Sequence, residues 1–262
     1  MSIDTYAAGT VLIAASAVAA VAGLILMRRF GYFRRLAISH EASGQYLSLV
    51  GTLYAVLLGL IVVDAMGRFQ NAATLVGDET NALAELIYLA GRMPGPQKVE
   101  VHRRATDYAH LVIDEEWPVM AHGQYLPAAR RSCFELMRVA RDWEPASESE
   151  KTVYAEGVEA ASQFWNARRL RIIACQRAIP PLEWCAVILG AFVTVGLTYF
   201  LVLDDLRIQV ALTAMVAVLI ALNVFLILMF AYPFSGDLRI SPDGFHVALA
   251  GIALDAAPPV SR

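Results

Sequence analysis

The sequence has little charge: Asp, Glu, Lys and Arg together make up 17% of its 262 residues, whereas hydrophobic residues make up 58%. The mean hydropathy is +0.53, and the formal net charge is −3. A composition this apolar is typical of a membrane protein rather than a soluble domain. The slight negative charge gives no reason to expect nucleic acid as a partner.

Cysteine is also scarce, and the common catalytic motifs are absent. Cys133, Cys175 and Cys185 lack the spacing of a disulfide framework or a zinc site, so we interpret them as small buried hydrophobic residues. There is no HExxH, no G-x-S-x-G, no P-loop and no glycine-rich dinucleotide motif. The sequence therefore predicts no enzyme and no cofactor.

One weak metal signal lies in the middle of the chain. His102 and His110 are eight residues apart on a predicted helix, and Asp114 follows one turn after His110. A histidine and an aspartate at this spacing can share a metal ion, but two ligands do not make a site. We interpret all three as surface or internally bonded helix residues and predict no metal.

Four apolar segments are long enough to cross a bilayer core, which takes about 20 helical residues. They run from about residue 7 to 27, 46 to 66, 181 to 203 and 208 to 232. The first is not typical of a signal peptide, because an aspartate and no basic residue precede it. We predict a multi-pass protein in contact with the lipid bilayer.

The polar stretch between the second and third spans has helical periodicity throughout. The second span is expected to continue as one long helix to Ala90, because the next strong break is MPGP at Met93 to Pro96. Further helices are predicted at 97–116, 127–142 and 151–175. No segment alternates with a period of two, so we predict an all-α membrane protein with a helical domain inserted between spans 2 and 3.

The predicted organisation has four parts. They are spans 1 and 2 with their basic loop, a helical domain, spans 3 and 4, and a C-terminal strap and tail, at residues 1–66, 67–180, 181–232 and 233–262.

Charge gives opposite indications of topology. Arginines after the first span favour a cytoplasmic loop, whereas arginines before the third span favour a cytoplasmic middle stretch. The two groups are Arg28, Arg29, Arg34 and Arg35, and Arg168, Arg169, Arg171 and Arg177. The side occupied by the middle stretch stays open on charge alone.

Small residues recur every four positions on the first two spans. The stripes are Ala15, Ala19 and Gly23 in the first span, and Gly51, Ala55 and Gly59 in the second. One interpretation is that the two helices pack together along these stripes. The other is that the second span lines a pore in an oligomer. The pore-lining candidates are then Gly51, Ala55, Leu58, Gly59 and Val62.

Polar residues in or near the spans are further candidates. Asp64 and Arg68 are four residues apart in the favourable order for a helical ion pair, at the end of the second span. They are either functional or interfacial anchors. Asn223, in the middle of the fourth span, is interpreted as an interhelical hydrogen-bond donor.

Glu79 lies among apolar residues of the long second helix, so it needs a partner if it is buried. The nearest supply of partners is the cluster Arg168, Arg169 and Arg171. We predict an arginine–carboxylate ion pair between the first and last helices of the middle stretch, either structural or a gate hinge.

Several stretches occur in a characteristic order. They are YAVLLGLIVVDAMGRFQNA, DETNALAELIYLAGRMPGP, EEWPVM, ARRLRI, IPPLEW and YPFSGDLRISPDGF. Together they resemble a family of bacterial integral membrane proteins called bestrophin-like, and more distantly the bestrophin channels. The resemblance covers nearly the whole chain from about Tyr46 onward.

Bestrophins are pentameric, mostly anion-selective channels whose second helix lines a long pore and continues into a helical cytosolic domain. The resemblance thus implies a homo-oligomeric, preferably pentameric, ion channel of the bacterial inner membrane with residues 67–180 in the cytoplasm. RFQNA matches the arginine–aromatic stretch after the bestrophin second helix, and IPPLEW matches the entry to the third span. Pro233 and Phe234 match the start of the tail.

The sequence also departs from the bestrophins. Asp237 and Asp243 alone do not form the clustered acids of a calcium clasp, and Tyr54 is the only aromatic residue between Leu47 and Arg68. Calcium gating and ion selectivity are therefore not carried over. The alternative function is a non-conducting membrane scaffold or sensor whose helical domain binds a partner.

Overall fold

The structure is a computed structural model that describes residues 4–30, 40–176, 179–201, 203 and 205–256. Arg34, Arg35 and Arg177, which entered the topology prediction, lie outside the described residues. The described residues contain helices and connecting turns and no strand. The all-α prediction is confirmed.

The helices follow one another with short connections. Their bounds are α1 Tyr6–Arg29, α2 His40–Ala90, α3 Gly95–Leu111, α4 Trp117–Met120, α5 Pro127–Arg141, α6 Glu148–Gln176, α7 Pro181–Phe200, α8 Leu206–Ala231 and α9 Asp243–Ala256. A π-helical turn, Val112–Glu116, joins α3 to α4.

Four helical stretches are long and apolar enough to cross a membrane, namely Tyr6–Arg29, Gly44–Ala90, Glu148–Phe200 and Leu206–Ala231. In the third stretch the apolar run predicted from the sequence coincides with α7.

Helix ends follow the local sequence. The side chain of Thr5 accepts a hydrogen bond from the Ala8 amide at 3.2 Å and caps α1. Asp205 caps α8 in the same way, accepting from the Arg207 amide at 2.8 Å. Proline occupies the first turn of α5 and α7, where its missing N–H has no helical partner to lose.

The chain forms two compact units. Unit 1 comprises Met1–Phe69, Ala178–Tyr232 and Gly236–Leu238, and unit 2 comprises Gln70–Arg177, Pro233–Ser235 and Arg239–Arg262. Helix α2 contributes its first part to unit 1 and its second part to unit 2, and it runs as one helix of 51 residues.

In unit 1, glycines allow close helix packing. An added Cβ would lie 2.2 Å from the Phe225 ring at Gly9, 2.6 Å from the Tyr199 hydroxyl at Gly23 and 2.2 Å from the Tyr54 ring at Gly190. Gly23 therefore packs against α7. Of the two interpretations of the stripes, packing of α1 against α2 is contradicted at Gly51 and Gly59, where an added Cβ would meet nothing within 4 Å.

A short segment after α8 is tied to the start of the chain within unit 1. Gly236 has φ +72°, and an added Cβ would lie 2.2 Å from the Asp4 carbonyl oxygen. The Asp237 amide donates to that oxygen at 3.2 Å, and the Asp237 carboxylate accepts from the Tyr6 amide at 2.7 Å. Only glycine combines the left-handed backbone with this close approach.

The core of unit 2 is formed by the second part of α2 with α3, α5, α6 and α9. No helix is predicted after residue 232 from the sequence, but the structure has α9, whose Gly244 lies against Thr80 and whose Gly251 lies against Ile87. Pro242 and Asp243 are helix-start residues. The short alanine-rich run that follows has too little polar contrast to show a helical face by pattern alone.

We expect Gly190→Ala to lower the thermal transition of the detergent-solubilised protein. The new methyl group would collide with the ring of Tyr54, whose hydroxyl is held by a 2.7 Å hydrogen bond to the Val187 carbonyl. Gly196→Ala is the matched control on the same helix, because an added Cβ there meets nothing within 4 Å. Equal transitions for the two variants would contradict the close α2–α7 packing.

Candidate functional site

Four charged side chains are buried together in unit 2. Glu79 on α2, Glu116 in the π-helical turn and Arg171 on α6 are 0% exposed, and Arg168 on α6 is 2% exposed. Tyr108 on α3 is equally buried beside them. We call these five residues the buried charge cluster.

The hydrogen bonds of the cluster link three helices and the π-helical turn. Arg171 donates to both Glu79 oxygens, at 2.5 and 3.1 Å, and to Glu116 Oε2 at 3.0 Å. Arg168 donates to the two Glu116 oxygens, each at 2.7 Å, and to the Tyr108 hydroxyl at 2.8 Å. Tyr108 donates in turn to Glu79. Two carboxylates and two guanidinium groups balance in charge.

Local structure places these groups on facing surfaces. Arg168 and Arg171 are three residues apart on α6 and therefore share one face of that helix. The wider π-helical turn changes the angular position of Glu116 relative to the residues of α3. The Leu126 amide also donates to Glu116, at 3.2 Å, which ties the loop before α5 to the cluster.

Aromatic rings enclose the cluster. The Arg168 guanidinium lies 5.4 Å from the centroid of the Tyr108 ring, and that of Arg171 lies 5.3 Å from Trp117 and 5.8 Å from Phe245. Guanidinium groups in such positions are attracted by the ring faces and shielded from water.

The stretch YPFSGDLRISPDGF supplies part of this enclosure in unit 2. Phe234 and Phe245 pack edge-on against Trp117, with centroids 5.6 and 5.9 Å away. The Trp117 indole donates to the Ile240 carbonyl at 3.0 Å, and the Ile240 amide donates to the Pro233 carbonyl at 2.8 Å. The motifs EEWPVM and YPFSGDLRISPDGF therefore meet at the cluster.

Burial and ion pairing shift the pKa values of several groups in and near the cluster. Desolvation tends to raise the pKa of Glu116, but hydrogen bonds from Arg168 and the charge of Arg171 outweigh it, and the pKa is lowered. Desolvation raises the pKa of Tyr108 well above its ordinary value. Burial likewise raises the pKa of the Cys133 thiol to about 12 and that of Cys175 to about 11, so both thiols are poor nucleophiles at neutral pH.

The cluster contains three of the four residues predicted for the ion pair. Glu79 pairs with Arg171 directly, and its nearest contact to Arg168 is 3.9 Å. Arg169 instead lies exposed and donates to Asn166 at 3.0 Å, because its position on α6 points away from this face. Glu116 and Tyr108 were not predicted as partners. The sequence does contain a signal that Glu116 is buried: it follows Val112 by four residues and so lies on the apolar side of the predicted helix.

The pore-lining candidates do not share one environment. Ala55 and Gly59 are exposed within the chain, and Gly51 and Val62 are half-buried. Leu58 is 5% exposed and belongs to the apolar cluster of unit 1 that includes Tyr54 and Ile227. Its side chain is occupied by packing within its own chain, so it lies outside the open face of α2.

The polar candidates of the spans make local contacts. Arg68 pairs with Asp64 at 2.6 Å and with Glu183 of α7 at 3.2 Å, at the end of the second span. The Asn223 amide nitrogen donates to the Leu219 carbonyl at 2.9 Å, one turn earlier in α8, rather than to another helix. The Asn223 amide therefore finds its acceptor within its own helix, and this hydrogen bond does not join two helices.

The histidines do not gather metal ligands. His110 lies 3.7 Å from Asp114 on the surface, and His102 contacts the Ile87 carbonyl at 3.2 Å. In the described part of the chain, no group of three or more His, Cys, Asp or Glu residues is placed to hold a metal ion.

Comparison with known proteins gives one family and solved structures of one fold. The family model described as Bestrophin-like domain matches residues 14–245. No curated protein matches the sequence.

Two crystal structures of point mutants of a bacterial bestrophin homologue from Klebsiella pneumoniae share the fold. One has a TM-score of 0.73 at 14% identity, covering 94% of this chain and 99% of the other. The second has a TM-score of 0.70 at 15% identity, covering 92% and 99%. The crystal structure of a membrane protein mutant has a TM-score of 0.71 at 13% identity, covering 94% and 99%.

We expect Arg171→Met to destabilise the protein by about 3–5 kcal/mol, because it leaves Glu79 and Glu116 buried without their shared partner. Chemical unfolding in detergent measures the change. Arg169→Met is the matched control, two positions earlier on α6 but exposed, and is expected to change stability little. Similar losses for both variants would contradict the assignment of the buried charge to Arg171.

Stability should depend on pH through Glu116. Because the folded-state pKa is lowered from 4.5, the contribution of the carboxylate is complete above that value and is lost as pH falls through the folded-state pKa. Glu116→Gln removes this contribution, so the gap in thermal transition between wild type and variant should narrow in acid. A gap that widens below about pH 4 would contradict the lowered pKa.

Proposed function

Because the chain belongs to the bestrophin-like family, we propose that it is an oligomeric ion channel of a bacterial inner membrane, with α2 lining the conduit. The oligomer we favour is a pentamer of this chain, with inorganic ions as the permeating partners. Unit 2 lies on the cytoplasmic side in this proposal, and the protein has no catalytic role.

The observation that carries the proposal is the open face of α2. Large apolar side chains on its membrane part are exposed within the single chain, namely Leu49, Leu53, Val56, Leu60 and Val63. Ala55 and Gly59 are exposed as well, on the adjoining side of the helix. A face of this kind requires lipid or further protein to cover it.

In an oligomer, small residues on this face keep the conduit open, and apolar neighbours make it hydrophobic. Gly51, Ala55, Gly59 and Val62 are the wall residues in this proposal, although Val62 is half-buried against the apolar cluster of unit 1. Leu58 is left out because it is a buried member of that cluster, only 5% exposed. A narrow apolar conduit gates by expelling water rather than by coordinating ions closely.

Charged residues lie where the second span ends. Arg68 pairs with Asp64 and Glu183, so the end of the second span, in the middle of α2, and the start of α7 are linked within unit 1. In our proposal this triad fixes the mouth of the conduit. The buried charge cluster is structural, holding the second part of α2 in unit 2.

The test is ion flux through liposomes that contain the purified protein. We expect chloride, sodium or potassium to pass, and Gly59→Phe to reduce the flux at least about tenfold because a ring would fill an apolar conduit. Gly196→Phe on α7 is the control, since both glycines have nothing within 4 Å of an added Cβ.

Absence of flux for every ion would overturn the channel and favour the non-conducting scaffold. If the two variants reduced ion flux equally, α2 would not be the helix that lines the conduit. Particle images of the solubilised protein provide a second readout: a ring with α2 at its axis agrees with the proposal, and a monomer or dimer contradicts it.

A further inference from the structure

A cavity of ≈ 240 Å³ lies in unit 2 beside the buried charge cluster. It is bounded by α5, the end of α6 and the loop before α5. Three arginines and two aromatic residues line it with two isoleucines and no acid: Tyr125, Arg130, Trp165, Arg168, Arg169, Ile172 and Ile173.

Two of these arginines carry charge that no carboxylate neutralises in the described part of the chain. Arg130 has only ring contacts, and Arg169 donates to the neutral amide oxygen of Asn166. Arg103 and Arg138 of unit 2, by contrast, are paired with Glu100 at 2.5 Å and with Asp142 at 3.9 Å. The cavity is therefore a local concentration of open positive charge.

Flat apolar surface adjoins this charge. The Arg130 guanidinium lies 5.7 Å from the Phe134 ring centroid and 5.9 Å from that of Trp165, and the two rings are 4.5 Å apart. Tyr125 is 41% exposed on the neighbouring loop. Exposed aromatic rings beside cations are suited to ligands that have both a ring and an anionic group.

One wall of the cavity is rigid. Arg168 is 2% exposed, and its two terminal nitrogens are held by Glu116 and Tyr108. Its charge is therefore neutralised within the cluster, and Arg168 contributes to the cavity only as part of its wall. The positive charge available to a ligand comes from Arg130 and Arg169, which no carboxylate pairs with in the described part of the chain.

We propose that this cavity binds a small aromatic carboxylate. The carboxylate interacts with Arg130 and Arg169, because guanidinium groups pair with carboxylates through charge-assisted hydrogen bonds. The ring lies against Trp165 and Ile172. The volume is below the range of about 300–1,000 Å³ that drug-sized ligands occupy, which favours a single-ring anion over a nucleotide. This site is independent of ion conduction.

The probe is salicylate, titrated by calorimetry into the full-length protein in detergent. We expect saturable binding that Arg130→Gln and Arg169→Gln each weaken about tenfold, through the loss of one charged hydrogen-bond donor. Arg138→Gln is the matched control, since this α5 arginine is exposed but paired with Asp142. All three residues are exposed, so an unchanged thermal transition verifies that the variants fold.

Two further probes separate the roles of charge and ring. Benzyl alcohol keeps the ring without charge, and acetate keeps the carboxylate without a ring; each is expected to bind at least about tenfold more weakly than salicylate. Absence of salicylate binding, unchanged affinity in both arginine variants, or benzyl alcohol binding as tightly would overturn the proposal. A smaller oligomer in the variants, without salicylate binding, would assign this surface to contact between copies instead.

Discussion

The bidentate pairing of buried arginines and glutamates in unit 2 is the interaction on which the rest of that unit depends. Arg171 joins Glu79 of α2 to Glu116 of the π-helical turn, and Arg168 completes the pairing. Burying four charges is costly unless each is matched in charge and hydrogen bonding, so the backbone positions of three elements become mutually dependent. The π-helical turn contributes to this arrangement, because it helps to position Glu116 next to the arginines.

The segment after α8 makes packing contacts within each of the two units. In unit 2, Phe234 and Phe245 cover Trp117 and thereby the guanidinium of Arg171. In unit 1, Gly236 and Asp237 contact the start of α1. A proline–glycine-rich stretch that resembles a simple helix stop is thus a packed structural element, and its aromatic residues keep water from the buried charges.

Helix α2 shows two different surfaces within one element. Tyr54, Leu58, Ile61 and Ala65 are packed in unit 1, whereas the apolar residues around Ala55 and Gly59 remain open within the chain. The proposed conduit uses the open surface and the buried charge cluster anchors the far part of the same helix. In a channel built in this way, the two parts of α2 have different roles. Small residues of the first part leave room for ions to pass, and paired charges hold the second part in place.

The sequence by itself determined the all-α class, the apolar spans and the unbroken course of α2, because hydropathy and 3.6-residue periodicity act locally along the chain. It also indicated that Glu79 needed an arginine from α6. Only the tertiary structure decided that Arg171 rather than Arg169 is that partner, that Glu116 and Tyr108 join it, and that Leu58 faces inward. Those outcomes depend on the azimuth of each helix and on a π-helical turn, which are set by packing between residues far apart in sequence.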